Sequence, residues 1–124
     1  MADEQFEKLE KIVYDNDFEA FKQAFENGMD VDIQNQYGWT PLHIAIRRDR
    51  REMVEYLWEQ GADIDKVDGV GWTPLMEAVM DDMPEICAFL IEKGADISIA
   101  NHRGGTAAML VQKFGRDSMA KYFK

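Results

Sequence analysis

Glycine, threonine and whole strings of residues recur in this chain at a single interval. Gly28, Gly61 and Gly94 lie 33 residues apart, as do Gly38, Gly71 and Gly104, and as do Thr40, Thr73 and Thr106. The strings NGMDVDI, QGADIDK and KGADISI keep the same spacing, and so do GWTPLHIA, GWTPLMEA and GGTAAMLV. Independent motifs that share one period mark a repeat array. In such an array a residue's place within its unit decides whether it meets the neighbouring unit or faces outward.

Each unit spells out its own local structure. Thr40 suits an N-cap, its hydroxyl accepting from an early helix N–H. Pro41 follows at the first helical position, where its missing N–H costs nothing. His43 stands three residues after the cap, where a polar side chain can reach back in a capping box. Leu42, Ala45 and Ile46 supply an apolar stripe, and small Ala45 and Ala78 let neighbouring helices come close. A second helix is expected after Asp49 or Asp82, with Pro84 in its first turn and Glu52 or Glu85 favoured by the N-terminal dipole. Its buried face reads Met53, Val54, Leu57 and Trp58, echoed by Ile86, Cys87, Leu90 and Ile91. Gly61 and Gly94 then suit a left-handed residue past the helix end.

These strings resemble those of ankyrin-repeat proteins. TPLHIA at 40–45 and GADI at 61–64 and 94–97 carry the resemblance, which covers nearly the whole chain. It implies an all-α ankyrin-repeat solenoid: helix–turn–helix units joined by β-turn or hairpin loops, in a single domain over 1–124. Full repeats are expected at 35–67 and 68–100, with an N-terminal capping repeat at about 2–34 and a C-terminal one at 101–124. The first has Glu7-Lys8-Leu9-Glu10 where Thr-Pro-Leu-His is expected, keeping apolar phase through Leu9, Ile12, Val13, Ala20, Phe21, Ala24 and Phe25. The last has Ala107-Ala108 in place of Pro-Leu. Charged ends of this kind close a stack, so a complete small array is expected. Met76 and Met109 stand where His43 does, so the C-terminal half is expected to fray before the second unit.

Of the residues, 46% are apolar and 31% charged, as in ordinary globular domains. No apolar run reaches 18 residues, so no membrane span is expected, and the acidic start does not read as a secretory signal. The lone Cys87 fits a reducing cytoplasm. The net charge of −10 is unevenly spread. Residues 1–34 carry ten acids against three bases, 35–67 six against five, and 68–100 seven against one, whereas 101–124 carry one acid against five bases. This balance disfavours nucleic acid and anionic membranes and suits a basic partner, or simple solubility. The opposite charges of the two ends permit weak head-to-tail contacts, but a monomer is expected when unbound.

The resemblance implies that partners bind the turn tips and the exposed side of the first helices, which line one concave surface. Carried over position by position, the tips are Gln36, Tyr37 and Trp39, then Gly69, Val70 and Trp72, then His102, Arg103 and Gly105. On the helix side stand Tyr14 and Asp15, Arg47 and Arg48, Met80 and Asp81, and Lys113 and Phe114. Trp39 and Trp72 occupy one place in adjacent units, and a patch of Trp, Tyr, Met and Arg has the composition of an interface centre. Asp15, Asp81 and Asp82 are expected at its rim. Alternatively, each indole folds back over the neighbouring tip and shields the Thr-Pro turn.

Other residues read as structural. Trp58 falls where a second-helix leucine is usual and is assigned to packing. Cys87 shares a buried face with Val54 and Phe21, an inert thiol. His43, His102 and Cys87 make no zinc set, GVG at 69–71 and RGG at 103–105 lack phosphate-loop spacing, and no cofactor is implied. RRDRR at 47–51 reads as a solvated inter-helix loop, with contact to an acidic spot on a partner as the second reading, and Asp81 and Asp82 as residues that start a helix. The expected function is a non-enzymatic protein–protein interaction module. A narrower alternative is an immunity protein that neutralises a basic toxin, and an enzyme is a remote third.

Overall fold

The structure, a computed structural model, describes residues 2–123. Its helices come in pairs: α1 (Ala2–Tyr14) with α2 (Phe18–Glu26), α3 (Pro41–Arg47) with α4 (Arg51–Glu59), and α5 (Pro74–Met80) with α6 (Pro84–Glu92). The last pair is α7 (Ala107–Lys113) with a 3₁₀ helix, Asp117–Phe123. No strand forms among the described residues. The all-α solenoid expected from the repeat is what the chain adopts.

Thr40, Thr73 and Thr106 sit in extended backbone, and each hydroxyl oxygen accepts from the N–H three residues on. At α3 the cap is reciprocal, because Nδ1 of His43 accepts from the Thr40 N–H at 3.2 Å. At α5 and α7 methionine returns nothing, as the sequence implied.

The first helices form one layer, α1 on α3, α3 on α5 and α5 on α7, while α2 lies on α4 and the 3₁₀ helix on α6. Flanked on both sides, α3 and α5 are buried all round from Pro41 to Ile46 and from Pro74 to Val79. The second helices bury one face only: Met53, Val54 and Leu57 in α4, and Ile86, Cys87 and Leu90 in α6. Each such side chain contributes about 1.5–3 kcal/mol on leaving water. Cys87 is fully buried, and burial pushes its thiol up to about 12, so it is inert at neutral pH.

Two expectations fail and another holds only in part. Asp49 and Asp82 do not start the second helices, whose N-cap residues are Arg50 and Met83 and carry no side-chain cap. They end the first helices instead, in left-handed backbone at φ 55° and 56°. Asp82 N–H donates to the Val79 carbonyl and Met83 N–H to that of Ala78, the paired bonds that close a helix end. Asn16 and Gly115 fill the same place in the first and last units. All four residues belong to the small set that tolerates this conformation.

RRDRR does span the turn between α3 and α4, with Arg48, Asp49 and Arg51 exposed, but its arginines are engaged within the chain. Arg47 lies 4.2 Å over the Trp39 ring and donates to Glu77 at 2.9 Å. Arg48 lies over Tyr14, and Arg51 pairs with Glu85 in the next unit. Arg50 donates to the carbonyls of Val13 and Tyr14, clamping the end of α1. Arg116 does the same to Val79 and Met80 at the end of α5. The matching residue for α3 is Met83, which cannot donate. Thirdly, Trp58 does not fill the core. It is 38% exposed, meeting Phe89 edge-on with Lys93 over its ring.

Candidate functional site

The turn tips are held by one device repeated three times. Asn35, Asp68 and Asn101 each accept, through a side-chain oxygen, from the N–H groups two and four residues ahead. This fixes the backbone at Tyr37 and Trp39, at Val70 and Trp72, and at Arg103 and Gly105. Neighbouring tips meet through backbone: Gly69 N–H donates to the Tyr37 carbonyl at 2.9 Å, and His102 N–H to that of Val70 at 3.1 Å. A Cβ on Gly69 would stand 2.8 Å from the Tyr37 oxygen, so at this tip a side chain would force the backbone to shift, whereas His102 makes the matching contact one unit on with a side chain in place.

Both indoles are half-buried, one part packed on the core and the rest facing outward. They do not form one patch with equal surroundings. Trp39 is clasped: Tyr37 lies 5.1 Å from it on one side and the Arg47 guanidinium 4.2 Å away on the other. Arg47 is held in turn by Glu77, a carboxylate on the otherwise apolar, buried face of α5. Beside Glu77 stands Asp81, whose Oδ2 is sealed from water with no N–H or O–H donor near it. Its carboxyl neighbours that of Glu77, and two carboxyls can bond only by sharing a proton. Burial, the bond to Glu77 and the Glu77 charge together push Asp81 up to about 7. Burial also pushes Glu77 upward, but the bonds from Asp81 and Arg47 outweigh it and hold Glu77 below its usual range.

Asp81 is therefore neither the start of α6 nor a rim residue. Its N–H closes α5 on the Glu77 carbonyl and its side chain is turned into this cluster.

Trp72 is placed by its neighbours. His43 Nε2–H donates to the Trp72 carbonyl at 2.9 Å, which leaves Nδ1 free to accept from Thr40 and fixes a neutral tautomer. Burial lowers the His43 pKa, with the Trp72 bond pulling the other way. Beyond Trp72 the chain has Gly105 where a third indole would stand in the repeat. Gly105 borders a groove of about 590 Å³, lined among others by Val70, Trp72, Arg103, Met109, Leu110 and Phe114. Val70 is 58% exposed and Met109 56%.

Of the expected contact residues, Val70, Trp72, Arg103 and Phe114 thus line one groove, and Tyr37, Trp39, Arg47 and Asp81 belong to a second cluster. Tyr14 and Arg48 form a third pair beside a smaller recess next to α1. Gln36 is exposed at its tip. Met80 is half-buried, and its carbonyl accepts from Arg116. Glu77, Met109 and Leu110 were missed. Glu77 was legible as a charge where its counterpart one unit back, Ile44, is apolar. Met109 matches Met76, which the next unit covers; in the last unit nothing described covers it.

Among the described residues no cluster of three or more His, Cys, Asp or Glu could hold a metal, and no helix is long and apolar enough to cross a membrane.

A profile of ankyrin repeats, in three copies, matches residues 9–101. A Rickettsia felis protein named for its ankyrin repeats is 42% identical over 50 residues, 40% of this chain and 13% of that protein. The human 2-5A-dependent ribonuclease is 40% identical over 50 residues, again 40% of this chain but 7% of its own length. The stretch shared is thus a small part of either relative.

Proposed function

This chain belongs to the ankyrin-repeat family, and from that premise we propose that it is a non-enzymatic module that binds another protein through its turn tips and the groove beside Trp72. Ankyrin repeats are generally protein–protein interaction modules. The observation that carries the reading is the run of half-buried or exposed apolar side chains along the tip side: Tyr37, Trp39, Val70, Trp72, Met109 and Phe114. Monomers rarely leave contiguous apolar surface open without a use for it. The tips are preformed by hydrogen bonds, so docking orders little that was loose.

The charge of −10 supports a partner that is basic where it meets the acidic units, with the last unit the exception. An inhibitor of a basic toxin is the narrower form of this reading and rests on charge alone.

The test is affinity capture from the native host with wild type and a Tyr37→Ala, Val70→Arg variant. Both positions are more than half exposed, so the fold should stand. The partner should be lost from the variant while the melting temperature stays put. Equal recovery by both proteins would remove the tips from the interface.

A further inference from the structure

We propose that the groove beside Gly105 receives a bulky apolar side chain from an acidic segment of a partner protein, whose carboxylates meet Arg103 and Lys113. The inference rests on the interaction reading and names the chemistry that its groove would select.

Its lining is largely apolar, with Val70, Trp72, Met109, Leu110 and Phe114, and about 590 Å³ is ample for a leucine or aromatic side chain with its flanking backbone. Its charged lining is all of one sign. Arg103 and Lys113 line it and no carboxylate does. Neither cation is in an ion pair among the described residues, in contrast to Arg47 and Arg51, which are matched by Glu77 and Glu85. Lys113 lies over the Phe114 ring instead, 5.6 Å from its centre. Residues 101–124 hold one acid against five bases. The acidic remainder of the chain does not repel such a ligand strongly, since salt limits its reach to about 8 Å at physiological strength. Local charge therefore decides. Arg and aromatic side chains around an apolar pocket are also the usual makings of an energetic centre.

The occupied units show what fills this place. Where 39 and 72 are tryptophan, the chain supplies its own indole; at 105 it supplies none, and the partner's side chain would take that position. Putting an indole back should close the site. The Gly105 backbone is not left-handed, and a Cβ there meets only the Asn101 side chain, at 3.3 Å, so the substitution is tolerable.

A phage-displayed library of random dodecamers, panned on the folded protein, tests the proposal. Retained peptides should combine Asp or Glu with Leu, Phe or Trp. Their affinity should fall about tenfold or more on Gly105→Trp, on Arg103→Glu with Lys113→Glu, and on adding salt. Circular dichroism and the melting temperature of each variant establish that it still folds. Basic or neutral peptides that bind Gly105→Trp as well as wild type would overturn the proposal, as would an empty selection. Peptides that depend on Tyr37 and Trp39 but ignore Gly105→Trp would overturn it while leaving the wider interaction reading intact.

Discussion

At the start of α3, Thr40 and His43 exchange hydrogen bonds and His43 reaches on to the Trp72 carbonyl in the next unit. At the start of α7, Thr106 accepts from Met109 at 3.3 Å, nothing is returned, and Met109 lies open to solvent. The second unit has polar contacts on both sides: Arg47 to Glu77 and Arg51 to Glu85 forward, Arg50 to Val13 and Tyr14 behind. Among the described residues the last unit reaches the unit before it through His102 N–H and Arg116. One repeated frame thus carries a tightly tied middle and an open end, and the open end is where the groove lies.

Making the second unit like the third is the most severe way to break this contrast. His43→Met removes two hydrogen bonds, the return half of the cap and the bond to the Trp72 carbonyl, which keeps only the Asp68 N–H, so about 2 kcal/mol of stability should be lost in urea unfolding. A loss under about 0.5 kcal/mol would mean that the histidine fills space and little more. Hydrogen exchange should sharpen the same contrast, with amides of α7 opening before those of α3. Equal protection in both would show that packing, not capping, sets local stability.

Acidity should move the two sides of the middle unit in opposite directions. His43 is held below its unfolded value of 6.5, so the unfolded chain binds its proton more readily. Stability from that group is whole above pH 6.5 and is lost as pH falls below it. Asp81 is raised from 3.8 to about 7, so its contribution is whole below pH 3.8 and declines as pH climbs through about 7. Asp81→Asn should abolish the second decline, and His43→Met the first, in urea midpoints measured from pH 4 to 8. Unchanged profiles would contradict both assignments.

The smallest effect is a gain. Met83→Arg gives α3 the clamp that Arg50 gives α1 and Arg116 gives α5. Thermal unfolding should rise by the equivalent of about 1 kcal/mol, the usual worth of such hydrogen bonds. A fall would show that the Met83 side chain, half-buried against the core, matters more where it is.

Much of this frame can be read from the interval alone. Thr40, Thr73 and Thr106 announce their helices because capping is local chemistry, satisfied within three residues. What escaped depends on the neighbour one unit away. Asp49 and Asp82 look like helix starters until Asn16 and Gly115 are set beside them, which shows that the shared need is left-handed backbone. The arginines of 47–51 read as a charged run because their partners, Val13, Glu77 and Glu85, are distant in sequence. Trp58 takes a leucine's place in the pattern, but its edge stays outside. The groove is marked in the chain only by a glycine where two tryptophans precede it.

Gly69 lets the tips touch through bare backbone, whereas Trp58 and Phe89 hold the outer helices apart with full rings. A side chain added at position 69 would therefore push the Tyr37 tip away, while the rings of Trp58 and Phe89 would keep their helices in place.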